Sequence, residues 1–151
     1  MIRVKRHLRR RPEPTKVIDL ALDRLYARKA DKYLPRACHI QVTDQASQIV
    51  PVGGFGKGKC SAINLEPGDV RDEVAAATTI FHESIHAQDV EKNGSKSVDG
   101  EEGLKNEIEA HRETIRFLKS WLQDEADKNK RRRIMEELRD ENKAIATLEN
   151  E

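Results

Sequence analysis

Residues 75–89 read AAATTIFHESIHAQD, and within them His82-Glu83-Ser84-Ile85-His86 forms an H-E-x-x-H pattern. On a helix the two histidines are one turn apart and project from one face, separated by about 40°. Glu83 lies beside that face, within reach of a water on any metal that the histidines share. Zinc suits such a site because it takes nitrogen and oxygen ligands tetrahedrally and keeps one position open for water. That water is nucleophilic near neutral pH, with the carboxylate as its general base.

The flanking residues say that this stretch is helical. Asp69, Asp72 and Glu73 stand behind Pro67-Gly68 at the expected start, where carboxylates cap free amides and oppose the positive end of the helix dipole. Val74, Ala77, Phe81 and Ile85 make an apolar stripe, and Lys92-Asn93-Gly94 is a helix stop. The bland alternative is two core histidines that share a face by accident. Start, stripe and stop together favour a metal.

Two histidines leave a catalytic zinc one protein ligand short. The next amphipathic stretch, with Leu104, Ile108, His111, Ile115, Leu118 and Leu122 at four-three spacing, predicts a second helix. At 100° per residue Glu107 and His111 lie about 60° and about 20° from Leu104 at the centre of that seam, while Glu109 lies about 140° away. An unpaired inward carboxylate would cost several kcal/mol, and metal coordination removes that cost. Glu107 is therefore the expected third ligand. His111 has three readings: support for a ligand, a ligand itself, or a satisfied core histidine.

His82-Glu83-Ser84-Ile85-His86, followed on a later helix by Glu107-Ile108-Glu109-Ala110, resembles the gluzincin branch of the zincin metallopeptidases, especially its minimal one-domain members. The resemblance implies zinc (Zn2+) on His82, His86 and Glu107, with Glu83 as the catalytic base. It also implies an α+β, zincin-like fold: mostly helical, with a small mixed or antiparallel sheet packed on the active-site helix and long C-terminal helices. A peptide or protein substrate follows. Several such families carry an acidic or amide residue one turn after the ligand Glu, where this chain has His111. The glycine and third histidine of the metzincin signature are absent after His86. Cys60-Ser61 is superficially similar to the cysteine ligand region of peptide deformylases, but the glycine-rich signatures of that family are missing. The competing expectation is a zincin-like scaffold, inactive or latent, that binds a protein or nucleic acid.

The chain has 151 residues, one domain's worth, with 36% charged and only 4% aromatic residues. That balance suits a helix-rich protein with a thin core. Lys and Arg number 28 against 27 Asp and Glu, so no global charge draws it to nucleic acid. Residues 1–13 form a basic leader, carrying Arg3, Lys5, Arg6, Arg9, Arg10 and Arg11; it is read as solvated, with a nucleic-acid arm as the weaker reading. Residues 14–125 make up the expected metallopeptidase domain and 126–151 its helical extension. No apolar run approaches the ~20 residues of a membrane span, and no hydrophobic segment follows the leader, so a cytoplasmic protein is expected. Cys38 and Cys60 are the only cysteines, either both reduced or paired between neighbouring strands.

The remaining elements are a helix over 15–32, strands at 38–42, 48–52 and 61–65, a loop over 95–103, and a last seam of Ile134, Leu138, Ile145 and Leu148. The strand at 61–65, directly before the metal helix, is expected at the sheet edge, where it would hold an extended peptide. The phase change near 127–130 means either a turn or one long helix that changes its buried face. Lys128, Lys130, Arg131, Arg132 and Arg133 at that point read as a solvated face. Glycines at 53–58 before Lys59 invite a phosphate-loop reading, but Cys60 replaces the hydroxyl and a strand follows instead of a helix. Tyr26, Tyr33, His39 and His111 are the candidates for stabilising an oxyanion.

Overall fold

The computed structural model describes residues 2–3, 13–30, 32, 34, 39–44, 47–51 and 61–150. Its order is β1 (Ile2–Arg3), α1 (Pro14–Ala27), β2 (Ile40–Val42), β3 (Gln48–Pro51), β4 (Ser61–Leu65), α2 (Glu73–Asn93), α3 (Gly100–Asp124) and α4 (Lys128–Glu149). Short 3-10 turns, Pro67–Val70 and Ser95–Val98, precede α2 and α3. The protein is thus mostly helical, with a small mixed sheet, in the α+β class.

α2 is the centre of the molecule. Its small residues Ala75, Ala76, Ala77 and Ala87 are buried, which lets α1, the sheet and α3 approach its backbone closely. Asp72 caps its start by accepting a hydrogen bond from the Ala75 amide at 2.8 Å. Gly94 closes it at φ 74°, a conformation that favours glycine. Thr78 and Ser84 are buried on this helix and donate back to the carbonyls of Val74 and Ile80, so neither hydroxyl is left unpaired. Ile18 and Leu25 of α1, Val42, Ile63 and Leu65 of the strands, and Ile80 of α2 join one core. Phe81 stacks on Phe117 at 4.8 Å, and Phe117 meets Trp121 at 5.9 Å. Arg24 of α1 lies over the fully buried Trp121, 5.0 Å from the ring centre.

The sheet runs β1-β2-β4-β3. β1, β2 and β4 are parallel, while β3 is antiparallel to β4, with Ile49 opposite Ile63. β4 is therefore an interior strand, contrary to its expected place at the edge; β3 holds that place. β4 is buried along Ala62, Ile63, Asn64 and Leu65 and is paired on both sides, as an interior strand is. Ile2–Arg3, expected as part of a solvated leader, pair beside β2.

Other boundaries also differ from expectation. α1 ends at Ala27, five residues short of the expected stop, with Lys29 at positive φ. The segment expected as a loop over 95–103 is a 3-10 turn followed by the first turn of α3. Gly103 is there because space is short: a Cβ on it would lie 2.6 Å from the Val98 carbonyl carbon and oxygen. The deepest face of α3 is Ala110, Thr114, Phe117, Leu118 and Trp121, offset from the expected seam. α3 packs against both α2 and α4, so residues on two faces are covered, and Leu104, Ile108 and Ile115 are only half-buried.

At 125–127 the chain turns, and α4 packs back along α3. The basic cluster there is not simply a solvated face. Arg131 donates to the carbonyls of Leu122 and Glu125 at the end of α3. Arg133 pairs with Asp72 at 2.8 Å and with Glu137 at 2.9 Å, and Lys130 pairs with Glu73. Lys128 and Arg132 are exposed as expected. Cys38, Cys60, Tyr33, the glycine-rich segment 53–58 and most of the basic leader lie outside the described residues, as does any pairing of the cysteines.

Candidate metal centre

Three helices contribute to one constellation. α2 presents His82 and His86 from successive turns, and α3 presents Glu107 and His111 in the same way. His82 Nε2 lies 3.0 Å from Glu107 Oε1, and His86 Nε2 lies 2.7 Å from Glu107 Oε2. The two imidazole Nε2 atoms are 3.1 Å apart. His111 Nε2 is 3.1 Å from Glu107 Oε1, and its Nδ1 contacts the carboxylate of Glu141 on α4. Glu109 points to solvent and pairs with Arg116.

These separations suit a tetrahedral cation. With zinc–nitrogen bonds of 2.0–2.1 Å, neighbouring ligand atoms stand about 3.3 Å apart. The contacts among His82, His86 and Glu107 need only small adjustments to reach that value. Two neutral donors and one carboxylate are also the ligand types that zinc takes. His82, Glu107 and His111 are likewise mutually within 4.8 Å, so one carboxylate serves two candidate triads. The triad with His86 has all three of its contacts at 3.1 Å or less, and both its histidines come from one rigid helix.

The electrostatics follow from this crowding. Burial alone would raise Glu107, but hydrogen bonds from His111, His82 and His86 hold its carboxyl far below the ordinary range. Burial works to lower His86, yet the Glu107 contact and the charges of Glu107, Glu83 and Asp89 leave it raised. Burial likewise opposes the charged form of His111, and the flanking carboxylates Glu107 and Glu141 push it up to about 9. Glu83 shows the opposite balance: burial raises its carboxyl above the usual range despite the pull of His82 and His86. Its carboxylate has no hydrogen-bond partner among the described residues. His82 Nδ1 also lacks one among them, and its ring is held by packing against His86 and His111 at 4.8 and 4.5 Å.

A cleft of about 330 Å³ opens beside the constellation, lined by His86, Glu107 and Glu83 on one side and by Ser47, Gln48 and Ile49 of the β3 region on the other. Asp69 sets that spacing. Its carboxylate accepts from Thr79 of α2 at 3.0 Å, from the Glu66 amide at 2.7 Å, and from the Ser47 hydroxyl. The start of β3 is thereby tied to the side of α2. A smaller cavity of about 200 Å³, bounded by His82, His111 and Glu141, lies next to it, and Glu83 borders both.

Sequence reasoning brought His82, Glu83, His86, Glu107 and His111 together, and the structure places them together. It missed Glu141 and the Ser47–Ile49 wall. A signal for Glu141 existed: Ile134, Leu138, Ile145 and Leu148 leave a gap at 141, where a glutamate stands in an apolar seam. Nothing local marked the wall, since it depends on which strand takes the sheet edge. Of the oxyanion candidates among the described residues, Tyr26 is exposed on α1 and His111 touches the constellation. Comparison with protein-family models, with curated proteins and with solved structures gave no match.

Proposed function

We propose that this protein is a zinc-dependent metallopeptidase of zincin type, with the metal held by His82, His86 and Glu107. What carries the reading is the convergence of two imidazoles, one helical turn apart, on a single carboxylate from the next helix, with Glu83 on the cleft wall beside them. Zinc bound there supplies a Lewis acid that polarises a carbonyl and acidifies water.

The chain's own residues supply the rest. Glu83 is buried, without a hydrogen-bond partner among the described residues, and its raised carboxyl holds a proton more readily than an exposed glutamate. It takes the proton of the attacking water and returns it to the leaving amine. Ile49 and Val98 line the cleft with apolar surface and limit bulk water there. Among the described residues β3 is paired only with β4, and it borders the cleft, so its outer edge there offers main-chain partners to an extended peptide. That edge favours a peptide substrate over a small molecule.

The test has three parts. Metal analysis of the purified chain is expected to give one zinc, located by anomalous scattering at the zinc edge. A mixed peptide library is expected to be cleaved, and a chelator to stop the cleavage. Glu83→Gln is expected to keep zinc and lose nearly all hydrolysis; retained turnover would remove Glu83 from the mechanism. Zinc without cleavage in the wild-type chain would favour the binding-scaffold reading, and absence of metal binding would end the peptidase reading.

A further inference from the structure

We infer that Glu141 is a positioning residue, acting through His111 to hold the Glu107 carboxylate, so that the C-terminal helix takes part in metal binding. This rests on the assignment of zinc to His82, His86 and Glu107.

Glu107 is the loosest member of that set. Its side chain is 36% exposed, against 11% for His82 and 10% for His86. A glutamate has three rotatable bonds, and a carboxylate at the rim of a cleft swings unless something holds it. His111 is placed to hold it, one turn along α3, with Nε2 3.1 Å from Oε1. An imidazole alone is a poor clamp, because it turns about its own bonds. Glu141 removes that freedom by engaging Nδ1, and each ring nitrogen then faces a carboxylate oxygen. Neither a ring flip nor a rotamer change keeps both contacts.

The far end of this relay is itself braced. Arg133 of α4 binds Asp72, Lys130 binds Glu73, and Glu137 binds Arg71, so α4 is tied to the start of the helix that carries both histidines. Glu141 is only 12% exposed and has His111 as its one hydrogen-bond partner among the described residues. A carboxylate in an otherwise apolar seam is costly unless its partner needs it there. Metal-bound side chains are commonly held in this way from behind, and losing such a support weakens metal binding by about 10–100-fold.

The experiment measures zinc affinity of the full chain by competition with a chromophoric chelator. The variants are Glu141→Gln, His111→Gln, the double variant and Glu141→Asp. Arg112→Gln is the control, because Arg112 pairs with Glu149 across the same two helices at half-exposed positions away from the site. Glu141→Gln and His111→Gln are each expected to weaken zinc by about 10–100-fold. The double variant is expected to be scarcely weaker than either, because the two act as one unit. Glu141→Asp withdraws the same charge by one methylene and is expected to fall between, which keeps the test open should another variant fold poorly. The absorption bands of the cobalt-loaded protein should shift in all four, and Arg112→Gln should match the wild type. Wild-type affinity in Glu141→Gln would overturn the proposal, as would independent, multiplying losses. A loss far beyond 100-fold in His111→Gln alone would make His111 a ligand and also overturn it. A lower melting temperature of the metal-free Glu141→Gln chain with unchanged affinity would reduce the contact to a tie between helices. A wild-type chain that binds no zinc would instead refute the metal assignment itself.

Discussion

Replacing Gly103 by alanine sets two physical effects against each other. Gly103 sits in the first turn of α3, and its amide donates to the Asp99 carbonyl at 2.9 Å. On helix propensity alone, alanine stabilises such a position by about 0.5–1 kcal/mol. The added methyl, however, would lie 2.6 Å from the Val98 carbonyl carbon and oxygen, about 1 Å inside the optimum for carbon contacts. Both neighbours are backbone, so neither can rotate away. Overpacking of this kind costs about 1–3 kcal/mol, and the net expectation is a loss of about 1–2 kcal/mol. For a chain of this size that lowers the melting temperature by about 2–8 °C. The first turn of α3 must move off the Val98 turn, and Glu107 rides one turn further on. Zinc affinity should therefore fall as well, seen as a smaller rise in melting temperature on adding zinc. Thermal unfolding with and without excess zinc reads both effects. A variant that melts higher than wild type, with its zinc-dependent rise intact, would refute the steric argument and leave only propensity.

Three further outcomes follow from the packing around α2. Asp72→Ala should cost about 0.5–2 kcal/mol for the lost cap, and more for the abandoned Arg133, whereas Asp72→Asn keeps a capping oxygen and should recover the first part only; chemical denaturation of both variants tests this. Arg133→Met removes one of the two arginines that pair with the buried Glu137 at 2.9 Å, leaving Arg71, and abandons Asp72; it should cost about 1–3 kcal/mol at pH 7. Burial holds the Glu137 carboxyl raised, so it disfavours folding above that raised value and is relieved below it. Burial opposes Asp72, but hydrogen bonds from Arg133 and Ala75 leave it lowered, so its contribution is present above the unfolded value and lost as pH falls through the folded one. Glu137 makes the Arg133→Met penalty shrink as pH falls from 7 toward 4, whereas the Asp72 part is lost only below the ordinary carboxylate range; an equal penalty at both pH values would contradict this. Trp121→Ala, at a fully buried ring between Arg24 and Phe117, should cost about 3–5 kcal/mol, read from the urea midpoint.

The legible parts of this chain are those whose information is local. The start among Asp69, Asp72 and Glu73, the stop at Lys92-Asn93-Gly94 and the phase of Val74, Ala77, Phe81 and Ile85 locate α2, because capping and a 3.6-residue period involve near neighbours only. The same period put Glu107 inward and Glu109 outward. It failed where an element is covered on two sides: α3 has no single stripe, since α2 and α4 take different faces of it. The turn over 95–103 was misjudged because its glycines suggest a loop, whereas Gly103 answers a close approach by Val98.

By itself the sequence determined a helix with two histidines on one face and which carboxylate of the next helix faces them, since helical geometry converts residue spacing directly into direction. Only the tertiary structure decided the rest. It put β3 at the sheet edge beside the cleft, turned Lys130, Arg131 and Arg133 inward onto α2 and α3, and brought Glu141 to His111 from thirty positions away. Those outcomes depend on which surfaces are left over when the helices pack, and no local period encodes that.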